Sequence, residues 1–104
     1  MIRQFDIVPN PDAGDAAHRP YLIVLQSNLV DGLRSTVVAP LVVRGDLIGA
    51  PRLNPTVVVE GKEYWLATHE LFAIDRRVLG QTIASLEDRR DMVIGALDFL
   101  FIGF

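Results

Sequence analysis

Thr56-Val57-Val58-Val59-Glu60-Gly61-Lys62-Glu63-Tyr64-Trp65-Leu66 reads as a β-hairpin. Two runs of β-branched and aromatic residues flank a Gly-containing turn, the pattern that pairs neighbouring strands. Tyr64 and Trp65 are adjacent, so they point to opposite faces, one into the core and one outside or into an interface. Upstream, Thr36–Val43 is β-branched and strand-like. Pro40 interrupts it, cannot donate to a ladder, and marks an edge, a bulge or an element end. Tyr21–Leu25 is a continuous apolar run, consistent with a strand covered on both faces. Gln4–Val8 alternates weakly and reads as a first strand. Leu71–Ile74 and Val78–Leu79 read as one or two further short strands.

Between these runs lie turn-forming segments. Pro9-Asn10-Pro11-Asp12-Ala13-Gly14-Asp15 is a loop. Gln26-Ser27-Asn28 and Asp31-Gly32 bracket the apolar pair Leu29-Val30, and Gly45–Pro55 is irregular or holds a short helical turn. After residue 80 the pattern changes. Ser85 is placed to cap a helix, with Asp88 at its third position and Glu87 and Asp88 in the first turn, where the helix dipole favours acids. Leu86, Val93, Leu97 and Leu100 form one apolar face. Gly95 within that helix costs about 1 kcal/mol relative to Ala, which close packing against another backbone would explain. Many short strands followed by one helix predict a β-dominated α+β domain, an antiparallel barrel or sheet packed by a C-terminal helix. The first 80 residues offer no crossover helix for a parallel sheet.

The 104 residues make a single domain, 1–104. Half are apolar, a high share for a small domain, which points to oligomerisation or an adhesive partner surface. With no cysteine, disulfides, thiolate metal sites and Cys nucleophiles are excluded. The formal net charge is −3, and the bases are nine Arg and one Lys, so the overall balance does not predict a nucleic-acid binder. The N-terminus lacks a long apolar signal region, and no apolar run approaches the roughly 20 residues that span a bilayer. The expectation is a soluble, cytoplasmic protein without a membrane partner.

No catalytic set emerges. His18 and His69 lack second ligands at metal spacing, so no metal is expected. The acid pairs Asp12/Asp15 and Glu87/Asp88 fit a turn and a helix start rather than paired acid–base work. Glycine-rich phosphate loops are absent, and no cofactor is expected. The doublets Arg76-Arg77 and Arg89-Arg90 read as solvated faces or salt-bridge partners, with a small phosphate-contacting patch as the alternative. The end is the unusual part. In Asp98-Phe99-Leu100-Phe101-Ile102-Gly103-Phe104, five of the last six residues are large and apolar. Chain ends normally fray and are small or polar, so this one is buried in the fold, buried in a twin subunit, or held for a partner. Gly103 gives the terminus backbone freedom to present its last side chain.

Several segments, in their order and spacing, resemble the CcdB family of toxins from toxin–antitoxin modules. They are Gln4-Phe5, Leu25-Gln26-Ser27-Asn28-Leu29-Val30-Asp31, Val38-Ala39-Pro40-Leu41, the helix from Leu86 to Leu100, and Gly103 followed by a large apolar residue. The resemblance implies an SH3-like barrel with a small side sheet and one C-terminal helix, acting as a homodimer and not as an enzyme. It further implies binding to the gyrase A subunit, which traps the cleaved DNA complex, and neutralisation by a CcdA-like antitoxin. Operator DNA would be bound only together with that antitoxin. The gyrase-contacting positions would be Leu29, Val30, Asp98, Phe101, Ile102, Gly103 and Phe104; the antitoxin-contacting residues are not implied. Ile102 departs from the family's Trp, which offers a flat face for stacking on a partner Arg. Two alternatives stand beside this reading. One is an RNA-cleaving toxin of the related MazF/Kid fold, drawing on Arg76, Arg77, His69 or Glu70. The other is a CcdB-like binding module without toxicity.

Overall fold

The computed structural model describes residues 1–103. Seven strands, β1 (Asp6–Pro9), β2 (Tyr21–Val24), β3 (Ser35–Val43), β4 (Thr56–Val59), β5 (Lys62–Leu66), β6 (Phe72–Asp75) and β7 (Ala84–Ser85), precede one helix, α1 (Arg90–Phe101). All pairings are antiparallel. The order is β4-β5-β3-β2-β1-β7, with β6 also on β3. The sheet curls into a nearly closed barrel packed by α1, as an SH3-like barrel requires.

The hairpin forms where the sequence places it. Glu60 and Gly61 make a two-residue connection with φ of 51° and 80°, and Val59 faces Lys62 across it. Positive φ at both central residues is the turn whose twist matches paired strands. Val57, Val59, Tyr64 and Leu66 are buried and pack with Ile7, Ile23, Leu41 and Val93 in the main core. The Tyr64 ring meets Tyr21 edge-on at 5.4 Å, and burial pushes the Tyr21 hydroxyl above its ordinary pKa. A second cluster, Val8, Leu22, Val24 and Val38, fills the opposite face and is covered by Ile2, Ile74 and Leu79. The run at 21–25 is continuously apolar because both of its faces are covered.

Trp65 lies on the outer face. The Arg44 guanidinium stacks 3.8 Å from its ring, and its Nε1 donates to the Arg44 carbonyl at 3.3 Å. A Cβ built on Gly49 would stand 2.7 Å from three Trp65 ring carbons. Gly49→Ala is therefore expected to lever the indole out of its slot, shift its fluorescence to the red, and destabilise by about 1–3 kcal/mol. An unshifted spectrum and melting temperature would show that the 44–50 segment adjusts freely.

Several expectations are corrected. Pro40 does not end its strand, because β3 runs unbroken for nine residues. The Pro40 carbonyl accepts from Ala67 N at 3.0 Å, so its hydrogen-bonding side faces the gap where β3 exchanges β6 for β5. There a missing N–H goes unneeded. β1 starts at Asp6 rather than Gln4, because Phe5 has φ of 70°. Val78 and Leu79 are not a strand, since Arg76–Val78 forms a 3-10 turn capped by the Asp75 carboxylate. Ser85 does not cap the α-helix. It ends β7, and its Oγ accepts from Glu87 N to open the 3-10 turn Glu87–Arg89, so α1 begins only at Arg90.

Candidate functional site

The apolar end is built on a fixed base. Val93 and Ala96 are buried against the core, and Leu97 packs beside them. The opposite stripe carries Ile94, Asp98 and Phe101, at i, i+4 and i+7, all exposed. Phe101 is 69 % exposed and Ile102 63 %. Gly103 has φ of 89° and donates to the Asp98 and Phe99 carbonyls at 3.1 Å, while Ile102 N reaches Asp98 O at 2.8 Å. This is a left-handed glycine helix stop, so Gly103 fixes the chain's exit here as well as freeing it. The Arg52 guanidinium stacks 4.5 Å from the Phe99 ring on the flank. Phe104 lies outside the described residues.

Leu29 and Val30 occupy a 3-10 turn, Asn28–Val30. Ser27 Oγ accepts from Leu29 N at 3.1 Å, and Asn28 Oδ1 accepts from Gln4 N at 2.8 Å. The polar residues around the pair thus fasten the turn and leave Leu29 94 % and Val30 43 % exposed. Asn28 and Arg90 line the same cleft of about 340 Å³, together with Arg3, Asp6 and Glu87. The turn accordingly sits at the N-terminal end of α1, whereas Phe101 and Ile102 occupy the other end, a helix length of roughly 18 Å away. One subunit does not bring the two patches into a single surface.

The residues considered for RNA cleavage are engaged separately. Asn54 Nδ2 stands 3.3 Å from His69 Nδ1, and Glu70 takes Arg19 Nε at 2.8 Å. That bond, with Asp15 adding to it, raises the Arg19 pKa further above its ordinary value. Arg76 donates to the Leu33 carbonyl and Arg77 to Asp75. His18 pairs with Asp46 at 2.8 Å. Among the described residues, no group of three or more His, Cys, Asp or Glu could hold a metal, and no helix is long and apolar enough to cross a membrane.

Ile94 escaped the sequence reading, although its spacing to Asp98 and Phe101 places it on the same stripe. Among the described residues nothing lies within 4 Å of a Cβ built on Gly95, so no described backbone of the same subunit is the close neighbour that the sequence suggests. Gly95→Ala is expected to stabilise the isolated chain by up to about 1 kcal/mol. A loss of stability that grows with protein concentration would instead reveal a second copy seated on that face.

A nearly closed antiparallel barrel packed by one C-terminal helix, with Phe101 and Ile102 exposed at the helix end, defines a domain of the SH3-like barrel fold. The family model described as CcdB protein matches residues 4–103, and the chain belongs to that family. Similar solved structures include two crystal forms of MazE-MazF from Deinococcus radiodurans. Form-III has a TM-score of 0.72 and 18% identity over 99% of this chain and 98% of that one. Form-II has a TM-score of 0.69 and 17% identity over 97% and 95%. This likeness is one of fold. No curated protein sequence matches the chain.

Proposed function

We propose that this protein is the toxin of a toxin–antitoxin module, a cytoplasmic homodimer that binds the gyrase A subunit and traps the cleaved DNA complex. A CcdA-like antitoxin neutralises it, and the two together repress their operator. Family membership supports the toxin role. The observation that carries the binding mechanism is the exposed tip of Phe101 and Ile102 at the end of a helix anchored in the core. Burying such side chains in a partner contributes roughly 1.5–3 kcal/mol each, and a few such anchors dominate most interfaces. Leu29 and Val30 add a second apolar element, and a dimer is one way to set the turn of one subunit beside the helix tip of its twin. Asp98, Gly103 and Phe104 complete the proposed contact set. Ile102 supplies apolar area without the stacking face of a Trp, so the contact is steric and hydrophobic rather than cation–π.

Expression in a susceptible bacterium tests this reading, beside a strain whose gyrase A subunit carries a substituted contact surface. Growth arrest in the first strain and relief in the second are expected. Equal arrest in both would remove gyrase as the target. Rapid RNA loss would then favour the RNA-cleaving alternative, which rests on fold similarity and on none of the side-chain contacts above. Absence of arrest with antitoxin binding retained would favour a module without toxicity.

A further inference from the structure

Two of the nine arginines converge on one carboxylate, and a third stands beside them. Asp75, the last residue of β6, receives Arg34 Nε at 3.2 Å and Arg77 Nη2 at 2.9 Å on the same oxygen. Its other oxygen accepts from Arg77 N at 2.9 Å and Arg77 Nε at 3.2 Å. Arg76 is tied in by its Nε to the Leu33 carbonyl at 3.0 Å and by its backbone N to the Arg34 carbonyl at 2.9 Å. Two guanidiniums on one carboxylate, with Arg76 next to them in the chain, leave a local basic excess on a chain whose net charge is −3. The Arg77 hydrogen bonds hold the Asp75 carboxyl well below the usual carboxylate range, so it stays ionised and keeps both forks in place.

The side chains of Arg34 and Arg77 nevertheless remain 73 % and 67 % exposed. Guanidinium has five donors in a rigid plane, and those not spent on Asp75 face outward. Orienting the forks in advance lowers the entropy cost of capturing another carboxylate. Leu33 and Val78, 55 % and 52 % exposed, flank the cluster. Leu33 also follows closely on the turn bearing Leu29 and Val30, and its N donates to the Val30 carbonyl. The basic cluster therefore continues an apolar surface.

We propose that Arg34, Arg76 and Arg77, with Leu33 and Val78, form a docking site for an acidic segment of a partner polypeptide that carries apolar residues beside its carboxylates. Charge complementarity selects the acid, and the two flanking aliphatic side chains select a peptide over a nucleic-acid backbone. A phosphate chain would gain nothing from those side chains. The proposal rests on the reading of this protein as a partner-binding toxin. Its test uses purified protein and no growth assay, so the two fail separately.

The probe is a short fluorescent peptide of alternating Glu and Leu, titrated with the full chain at low salt and followed by anisotropy. A Lys/Leu peptide and a single-stranded RNA of similar length serve as comparisons. The Glu/Leu peptide is expected to bind, to weaken with added salt, and to lose about tenfold in affinity in Arg34→Gln/Arg77→Gln. Arg34→Lys/Arg77→Lys should fall between, because Lys keeps the charge without the fork. Should the double Gln variant fail to fold, Arg34→Gln alone, which removes one exposed hydrogen bond, should still lose about threefold. Failure of the Glu/Leu peptide to bind, equal binding to wild type and variants, or tighter binding by the RNA or the Lys/Leu peptide, would overturn the proposal.

Discussion

Deletion of Ile102, Gly103 and Phe104 is expected to abolish growth inhibition while leaving a folded protein. The two halves of this outcome have separate causes. Ile102 and Gly103 are exposed and belong to neither core cluster, so their loss removes only the hydrogen bonds that close the last helical turn on Asp98 and Phe99. Fraying of one terminal turn should lower the melting temperature by less than about 4 °C. The functional loss should be far larger, because the deletion takes away apolar anchors that a partner would fully desolvate. Ile102→Asp is the finer version. It keeps the helix stop at Gly103 and places a charge where a carboxylate would be buried unpaired, which costs several kcal/mol in a dry interface. Toxicity measured by plating after induction, beside circular dichroism of the purified variants, separates the two effects. A truncated or Asp-bearing protein that arrests growth as the full chain does would show that the tip is not the anchor.

The sequence conveyed the fold where local chemistry and tertiary packing agree. Glu60-Gly61 between two β-branched runs specifies its own turn and register, and the run at 21–25 announces a strand covered on both faces. It misled where a residue's meaning depends on what stands beside it in space. Pro40 is tolerated in a central strand only because two different strands share that side of β3, which no local pattern shows. Ser85 looks like a helix cap, yet the pairing of Asp6 with Ser85 claims it for the sheet and delays α1 by a turn. Of the candidate site, the sequence marked the apolar end but left open whether the fold buries it; the exposure of Phe101 and Ile102 depends on how α1 docks, with Val93 and Ala96 turned into the core. The separation of Leu29 and Val30 from that tip did not, because it depends on which end of the helix meets the 3-10 turn. The convergence of Arg34 with Arg77 was equally hidden, since the pairing of Ser35 with Asp75 joins residues far apart in the chain.

Phe5→Ala should be the most damaging single core substitution, and its companion Phe5→Gly gives the cause. Phe5 is 1 % exposed and packs in the main core. Its N donates to Val24 O at 2.7 Å and its carbonyl accepts from Leu86 N at 2.8 Å. It thus joins the start of β1 to β2 on one side and to the approach to α1 on the other. The Arg90 guanidinium lies 5.7 Å from its ring. Truncating a buried Phe to Ala typically costs 3–5 kcal/mol, a large part of the roughly 5–15 kcal/mol that holds a domain together. A fall in melting temperature of about 15 °C or more is expected. At φ of 70°, however, Phe5 occupies a region that is an outlier for a bulky residue and costs of order 1–3 kcal/mol. Ala inherits that strain and Gly does not. At an ordinary buried position the Gly variant would be the less stable of the two; here it should match or exceed the Ala variant. A Gly variant clearly less stable than Ala would mean that the left-handed backbone at residue 5 carries no strain. The consequence reaches the site, because the Phe5–Leu86 hydrogen bond anchors the segment leading into the helix that presents Phe101 and Ile102. In the Ala variant, loosening of α1 should therefore appear as faster amide exchange along residues 90–101 before the sheet itself opens.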